Sequence, residues 1–189
     1  MDPLKLDPAS TALILIDLQH GIVGMDTSPR ASSFVVQKGA SLAEAFRKKS
    51  SPVVYVRVDL ANMFHLPVDR SHSDPNNPPP AIASELVPAS GVQSGDIVIT
   101  KRHWSAFSGT DLEATLVQAG VRTVVICGIA TNFGVESTAR AAAGLGFAVV
   151  FAEDATASIS AEAHQFAFGM IFPMLGRVRT TSEVIEAIA

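Results

Sequence analysis

Val124-Val125-Ile126-Cys127-Gly128-Ile129-Ala130-Thr131-Asn132-Phe133-Gly134-Val135-Glu136-Ser137-Thr138-Ala139-Arg140 reads as a strand, a tight turn and the start of a helix. Residues 124 to 129 form a short run rich in β-branched side chains with no polar alternation, which suits a parallel strand covered by helices on both faces. Asn132, or Thr131 before it, is a good N-cap, and the residues from Val135 to Leu145 run helical until Gly144 and Gly146 offer a stop. The helix thus begins at the strand's C-terminal end. Open α/β sheets bind ligands there, because free backbone N–H groups and the positive end of the helix dipole face the crevice. Gly134 stands out in this arrangement. In a first helical turn glycine costs about 1 kcal/mol relative to alanine, so something other than helix stability favours it.

Upstream, Ala12 to Ile16 is apolar throughout and is expected to be the first core strand, ending at Asp17. A carboxylate at that end faces the crevice, although Asp also bonds readily to local backbone. Gln19 in the following loop is read as orienting Asp17 or touching ligand, and His20 as an ordinary loop residue. Ser33 to Lys49 reads as a helix with a basic end that suits the dipole, and Pro52 to Val58 as the second strand. Asp96 to Thr100 is the third strand, with Lys101 just past its end as Asp17 is past the first. The stretch Trp104-Ser105-Ala106-Phe107 is too apolar for an ordinary exposed loop, so Lys101 is expected to sit against an apolar wall.

Thr110-Asp111-Leu112-Glu113 reads as a capping box opening a helix that turns Leu112 and Leu116 inward and stops at Gly120. Phe147 to Phe151 is a further strand, ending at Glu153-Asp154, and Ser160 to Ile171 a helix with Phe166, Ala167, Met170 and Ile171 as core. Arg177 to Arg179 is a short last strand, followed by a capping box, Thr180 to Glu183, for the terminal helix. Strands alternate with helices from end to end. The expectation is a single α/β domain over residues 1–189, a three-layer, doubly wound (Rossmann-like) parallel sheet of about six strands with right-handed crossovers. Neither a GxGxxG nor a P-loop pattern is present, so nucleotide binding is not supported.

Composition removes whole classes of function. With 48% hydrophobic and 17% charged residues the 189-residue chain is globular in character, and a net charge of -4 offers no basic field for nucleic acid. No apolar run reaches the roughly 18 residues that span a bilayer, and the first eight residues lack a signal peptide's apolar core. A soluble, cytoplasmic protein without membrane contact is expected. The single cysteine, Cys127, excludes an internal disulfide and a Cys-based metal cluster. Between Asp59 and Ser94 lies a long stretch rich in Pro and Asn, of the kind that forms lids, binding loops or oligomer contacts. Asp69, His72 and Asp74 there invite a metal reading, but a lone His in a polar loop is usually surface. No metal and no cofactor is expected.

The segment from Gly128 to Arg140 resembles the signature of the isochorismatase-like, or cysteine hydrolase, superfamily, with an overall pattern like its YecD-type branch. Two further motifs stand where that family has them: Ala12-Leu13-Ile14-Leu15-Ile16-Asp17-Leu18-Gln19, and Thr100-Lys101-Arg102-His103-Trp104-Ser105-Ala106-Phe107-Ser108-Gly109-Thr110-Asp111-Leu112. The resemblance implies that Asp17 and Lys101 are catalytic, and that the backbone near Ala130 and Gly134 stabilises an oxyanion. It further implies that Gln19, Trp104 and Phe107 belong with the substrate-binding residues, and that the protein is a homodimer or homotetramer. Metal-using nicotinamidases of the superfamily carry an Asp-x-His pair and a later His. Here Leu60-Ala61 follows Asp59, and His65 and His72 do not restore the spacing.

One departure governs the chemistry. Most members of the superfamily carry a nucleophilic Cys where this chain has Gly134, and true isochorismatases do not. Cys127 is no replacement, since it lies within the strand and is expected to point into the core. Hydrolysis through a thioester is therefore disfavoured. What the resemblance leaves is general acid catalysis: Asp17 protonates the vinyl group of an enol ether and water attacks the oxocarbenium carbon. A charged Lys101 lowers the Asp17 pKa and burial raises it, so an acid role requires burial or ligand charge to win. Two readings follow, a hydrolase of a small, anionic or enol-ether-like metabolite, and a small-molecule-binding or regulatory relative without turnover.

Overall fold

The computed structural model describes residues 3–64, 66–71, 74 and 76–188. Along the chain run β1 (Thr11–Ile16), α1 (His20–Val23), α2 (Ser32–Lys48), β2 (Val53–Val58), β3 (Ile97–Lys101), α3 (Leu112–Gln118) and β4 (Thr123–Ile129). They are followed by α4 (Glu136–Gly144), β5 (Ala148–Ala157), α5 (Ala161–Phe166), α6 (Phe172–Leu175), β6 (Arg177–Arg179) and α7 (Thr181–Ala187). The strands form one six-stranded sheet in the order β3-β2-β1-β4-β5-β6, with every ladder in it parallel. That is the expected doubly wound sheet.

Alternation along each strand feeds two cores, one on each face. Leu13 and Leu15 of β1 join Tyr55, Val125 and Cys127 under α2, whose Val35, Leu42 and Phe46 are buried against them, with Val184 of α7 in the same cluster. Ala12, Ile14 and Ile16 pack on the other side with Leu112 and Leu116 of α3, Ala139 and Ala142 of α4, and Phe172 of α6. Each face thus carries its own layer of helices, and the sheet is apolar on both sides as a covered parallel sheet must be.

Four local expectations are corrected. Lys101 is the last residue of β3 rather than the first beyond it, and β5 continues through Glu153 and Asp154 to Ala157. The capping box at Thr110 does not form: Asp111 is the N-cap, and the Thr110 hydroxyl donates back to the Ala106 carbonyl. In the segment after Ser160 the helix passes through a wide five-residue turn, Ala167–Ile171, before α6. The extra residue rotates the face that follows it, so that Phe172 is buried while Met170 is 65% exposed; upstream, His164 and Ala167 are buried and Phe166, 61% exposed, points away from them. The second predicted box is present, with Thr180 and Glu183 capping each other at α7. Within the long stretch after Asp59, single 3₁₀ turns form at Ala81–Ser84 and Pro88–Ser90. No helix of the described residues is long and apolar enough to cross a membrane.

Candidate active site

The strand order reverses between β1 and β4, which makes their C-terminal ends the switch point of the sheet. Asp17 follows β1 directly, its N–H bonded to the Val56 carbonyl at 2.8 Å and its φ at +55°. Left-handed backbone is uncommon outside glycine but is tolerated by Asp, and it turns the chain away at the end of the strand. β4 approaches β1 closely at the same level. Gly128, at φ +123°, pairs with Ile16, and a β-carbon there would overlap the Ile16 carbonyl.

Lys101 ends β3, next to Val58 of β2. Its long stem carries the ammonium past β2 to Asp17, where Nζ lies 2.8 Å from Oδ2, and Nζ also donates to the Trp104 carbonyl at 2.8 Å. Both side chains are buried, Lys101 at 1% and Asp17 at 8% exposure. Burial is the strongest influence on Asp17 and raises its pKa, outweighing the charge and hydrogen bond of Lys101. On balance the Asp17 carboxyl holds its proton more readily than a free aspartate does. Asp17 Oδ1 is buried and has no hydrogen-bond partner among the described residues. A buried carboxylate oxygen left unpaired is costly, and a ligand group that donates to it, or a proton carried on it, removes that cost.

Gly134 completes the cluster. After β4 the chain runs through a wide turn, Thr131–Val135, before α4, with the Phe133 and Val135 N–H groups both bonded to the Ala130 carbonyl. A β-carbon on Gly134 would lie 3.0 Å from Asp17 Oδ2, 3.0 Å from Lys101 Nζ and 3.0 Å from Ile16 Cγ2. The ion pair lies tight against the space a side chain would take, so a residue larger than glycine requires it to give by a few tenths of an ångström. The expected cap is corrected: Ala130 is the N-cap position and no side chain caps the turn. Thr131 instead bonds to His164, and Asn132 accepts from the Ser158 hydroxyl.

Of the remaining predicted site residues, Ala130 is buried beside the turn and Trp104 lies at the site's edge, 39% exposed and stacked on Phe133 at 5.0 Å. Gln19 and Phe107 are elsewhere. The Gln19 amide is fully buried, donating to the Val58 and Ala83 carbonyls and accepting from the Val58 N–H, so it fastens loops and makes no bond to Asp17. Phe107 stacks on Phe147, just before β5, and belongs to the core behind α4. Cys127 is buried and its thiol is pushed up to about 12, as suits a core residue. Sequence reading missed His164, whose only signal is a polar residue three positions before Ala167 on what becomes the inward face.

His65 and His72 lie outside the described residues; among those described, no three His, Cys, Asp or Glu side chains gather as a metal ion would require. Chelation is accordingly expected to leave turnover and melting temperature unchanged. A drop with EDTA that Zn²⁺ reverses would contradict this.

Comparison with known proteins agrees with the fold. The chain matches the isochorismatase domain family over residues 11–183. It is 43% identical to the isochorismatase family protein YecD of Escherichia coli O157:H7, covering 98% of this chain and all of the relative. An isochorismatase family protein of Burkholderia thailandensis superposes with a TM-score of 0.91 at 41% identity, over 99% of both chains. A cysteine hydrolase of Pseudomonas syringae pv. phaseolicola superposes at 0.80 with 27% identity, over 99% of this chain and 97% of the other. The chain belongs to the isochorismatase family.

Proposed function

We propose that this protein hydrolyses a small metabolite by acid–base catalysis at Asp17 and Lys101, without a protein nucleophile. One observation carries the reading: the buried Asp17–Lys101 pair, 2.8 Å apart, closes over the position where a thiol would stand, and that position is glycine. A structural ion pair would serve as well anywhere in the core. This one lies at the switch point of the sheet, and its carboxyl keeps one oxygen unpaired.

In this reading Asp17 is the acid, in keeping with its raised pKa. Lys101 donates to Oδ2, so a proton on the carboxyl sits on Oδ1, the oxygen with no partner. With an enol ether, that proton passes to the terminal vinyl carbon and leaves an oxocarbenium ion flanked by carboxylate. Water adds to the cationic carbon, the hemiketal breaks its C–O bond to give an alcohol and a ketone, and a proton returns to Asp17. No covalent intermediate with the protein forms. Lys101 holds the carboxylate in place and stabilises its charge once the proton has left.

A screen of enol ethers and small amides for turnover, run beside a thermal-shift screen, tests the reading. Product from an enol ether supports it; binding without product from any compound assigns the fold to a silent, ligand-binding role. The pH profile adds a sharper check. An acid works only while protonated, so turnover should hold below the raised Asp17 pKa and fall as pH rises through it. Both contributions of Lys101 lower that pKa, so Lys101→Met should move the falling limb to higher pH. A limb that moves to lower pH assigns it to another group.

A further inference from the structure

The turn that carries Gly134 has no side-chain cap and lacks the regular bonding of an α-helix, and glycine itself offers no side chain to hold it. Its fastening comes from outside. Thr131, the first residue of the turn, is fully buried, and its Oγ1 lies 2.8 Å from Nδ1 of His164 on α5. The other ring nitrogen, Nε2, is 3.2 Å from Oε1 of Glu153 on β5. That same oxygen accepts from Arg30 Nη2 at 2.7 Å, while Arg30 Nη1 bonds to the carbonyls of Glu153 and Thr156 at 2.9 and 2.6 Å. The imidazole is itself held by Phe168, with ring centroids 4.6 Å apart.

Chemistry sets the direction of these bonds. An ionised carboxylate only accepts, so His164 donates from Nε2, which leaves Nδ1 as the acceptor for the Thr131 hydroxyl. Burial is the largest influence on the His164 pKa and lowers it, which favours the neutral ring. Hydroxyl, imidazole and carboxylate in series are also the parts of an activated nucleophile. Thr131, however, has no exposed surface, so its oxygen meets no ligand, and the series must act through the turn.

We propose that Arg30, Glu153 and His164 form a positioning relay that clamps Thr131, and so fixes the turn from Ala130 to Gly134 against the Asp17–Lys101 pair. His164 is a positioning residue here, and Thr131 is where it grips. The clamp stands on these contacts alone. Only the claim that it serves catalysis rests on the site reading given above.

Amide hydrogen exchange of the whole protein tests the clamp without a substrate. Thr131→Val removes the hydroxyl at nearly constant shape and should speed exchange at residues 131–135 at least tenfold, with β1 and α2 unchanged, while Thr131→Ser restores protection. His164→Gln should loosen the same residues. Unchanged exchange in Thr131→Val, or loss spread evenly over the sheet, overturns the proposal. Should Thr131→Val fail to fold, nitrogen-15 shifts of His164 in the unmodified protein still decide: a neutral ring protonated at Nε2 is expected, and protonation at Nδ1 overturns the relay. A Gly134→Cys reporter thiol separates the two readings. Where the clamp serves the site, adding Thr131→Val should cut its rate with iodoacetamide at least fivefold, and Thr131→Ser should recover it. A reporter thiol that is sluggish from the start sinks the site reading, and the exchange data then stand or fall alone for the clamp.

Discussion

Asp17→Asn is expected to lower turnover at least about a hundredfold, the usual scale for removing a general acid, while the protein still folds. The amide matches the carboxyl in shape and its oxygen still accepts from Lys101 Nζ, but it has no transferable proton at neutral pH. Breaking a buried ion pair from one side typically costs about 3–5 kcal/mol. A smaller loss is expected here, because burial opposes the ionised form of Asp17 and raises its pKa. Far-ultraviolet circular dichroism and a melting curve show whether the variant folds. Turnover on the compound found by the enol-ether and amide screen shows what the proton was worth. A folded variant with near-wild-type rate removes Asp17 from the mechanism.

The parts of this site that sequence revealed are those fixed by sheet geometry. A buried parallel strand has few ways to end, so a carboxylate after Ile16 and an ammonium at the end of β3 had to reach the same rim, and the structure pairs them. Gly134 was visible as an anomaly because glycine is costly in a helix, though the tight approach of the ion pair to it needed three dimensions. Gln19 and Phe107 illustrate the limit. Both are adjacent in sequence to site residues, but Gln19 bonds 39 and 64 positions away and Phe107 packs on Phe147, and no local pattern encodes such partners.

Helix register failed for a related reason. The periodicity from Ser160 onward is read at 3.6 residues per turn, and one wide turn at Ala167–Ile171 is enough to move Met170 to the outside and Phe172 to the inside. The other wide turn, at Thr131–Val135, displaced the expected cap from Asn132 and left Thr131 and Asn132 free to bond to α5 and to the end of β5 instead. Wide turns that interrupt helices are frequent at functional sites. The second one lies directly over the Asp17–Lys101 pair.

Gly134→Cys is expected to create the most reactive thiol in the protein. The backbone allows it: unlike Gly128, which sits at positive φ, Gly134 has a conformation open to ordinary residues. Its β-carbon would press on Asp17 Oδ2, Lys101 Nζ and Ile16 Cγ2 at 3.0 Å each, so the pair must yield by a few tenths of an ångström. The sulfur would then stand beside a carboxyl that takes its proton when ionised, a cation that stabilises the thiolate, and the first turn before a helix, whose dipole does the same. Cys127 provides the internal control, since it is buried and its thiol titrates only at about 12. Iodoacetamide should label position 134 well ahead of Cys127 and ahead of a free model thiol. Adding Asp17→Asn or Lys101→Met should slow that labelling sharply. Amidase activity is not expected to follow from the thiol alone, because acyl transfer also needs substrate contacts tuned to it. A folded variant whose new thiol reacts no faster than the model compound would mean that Asp17, Lys101 and position 134 do not act together, and the proposed site would fall with that result.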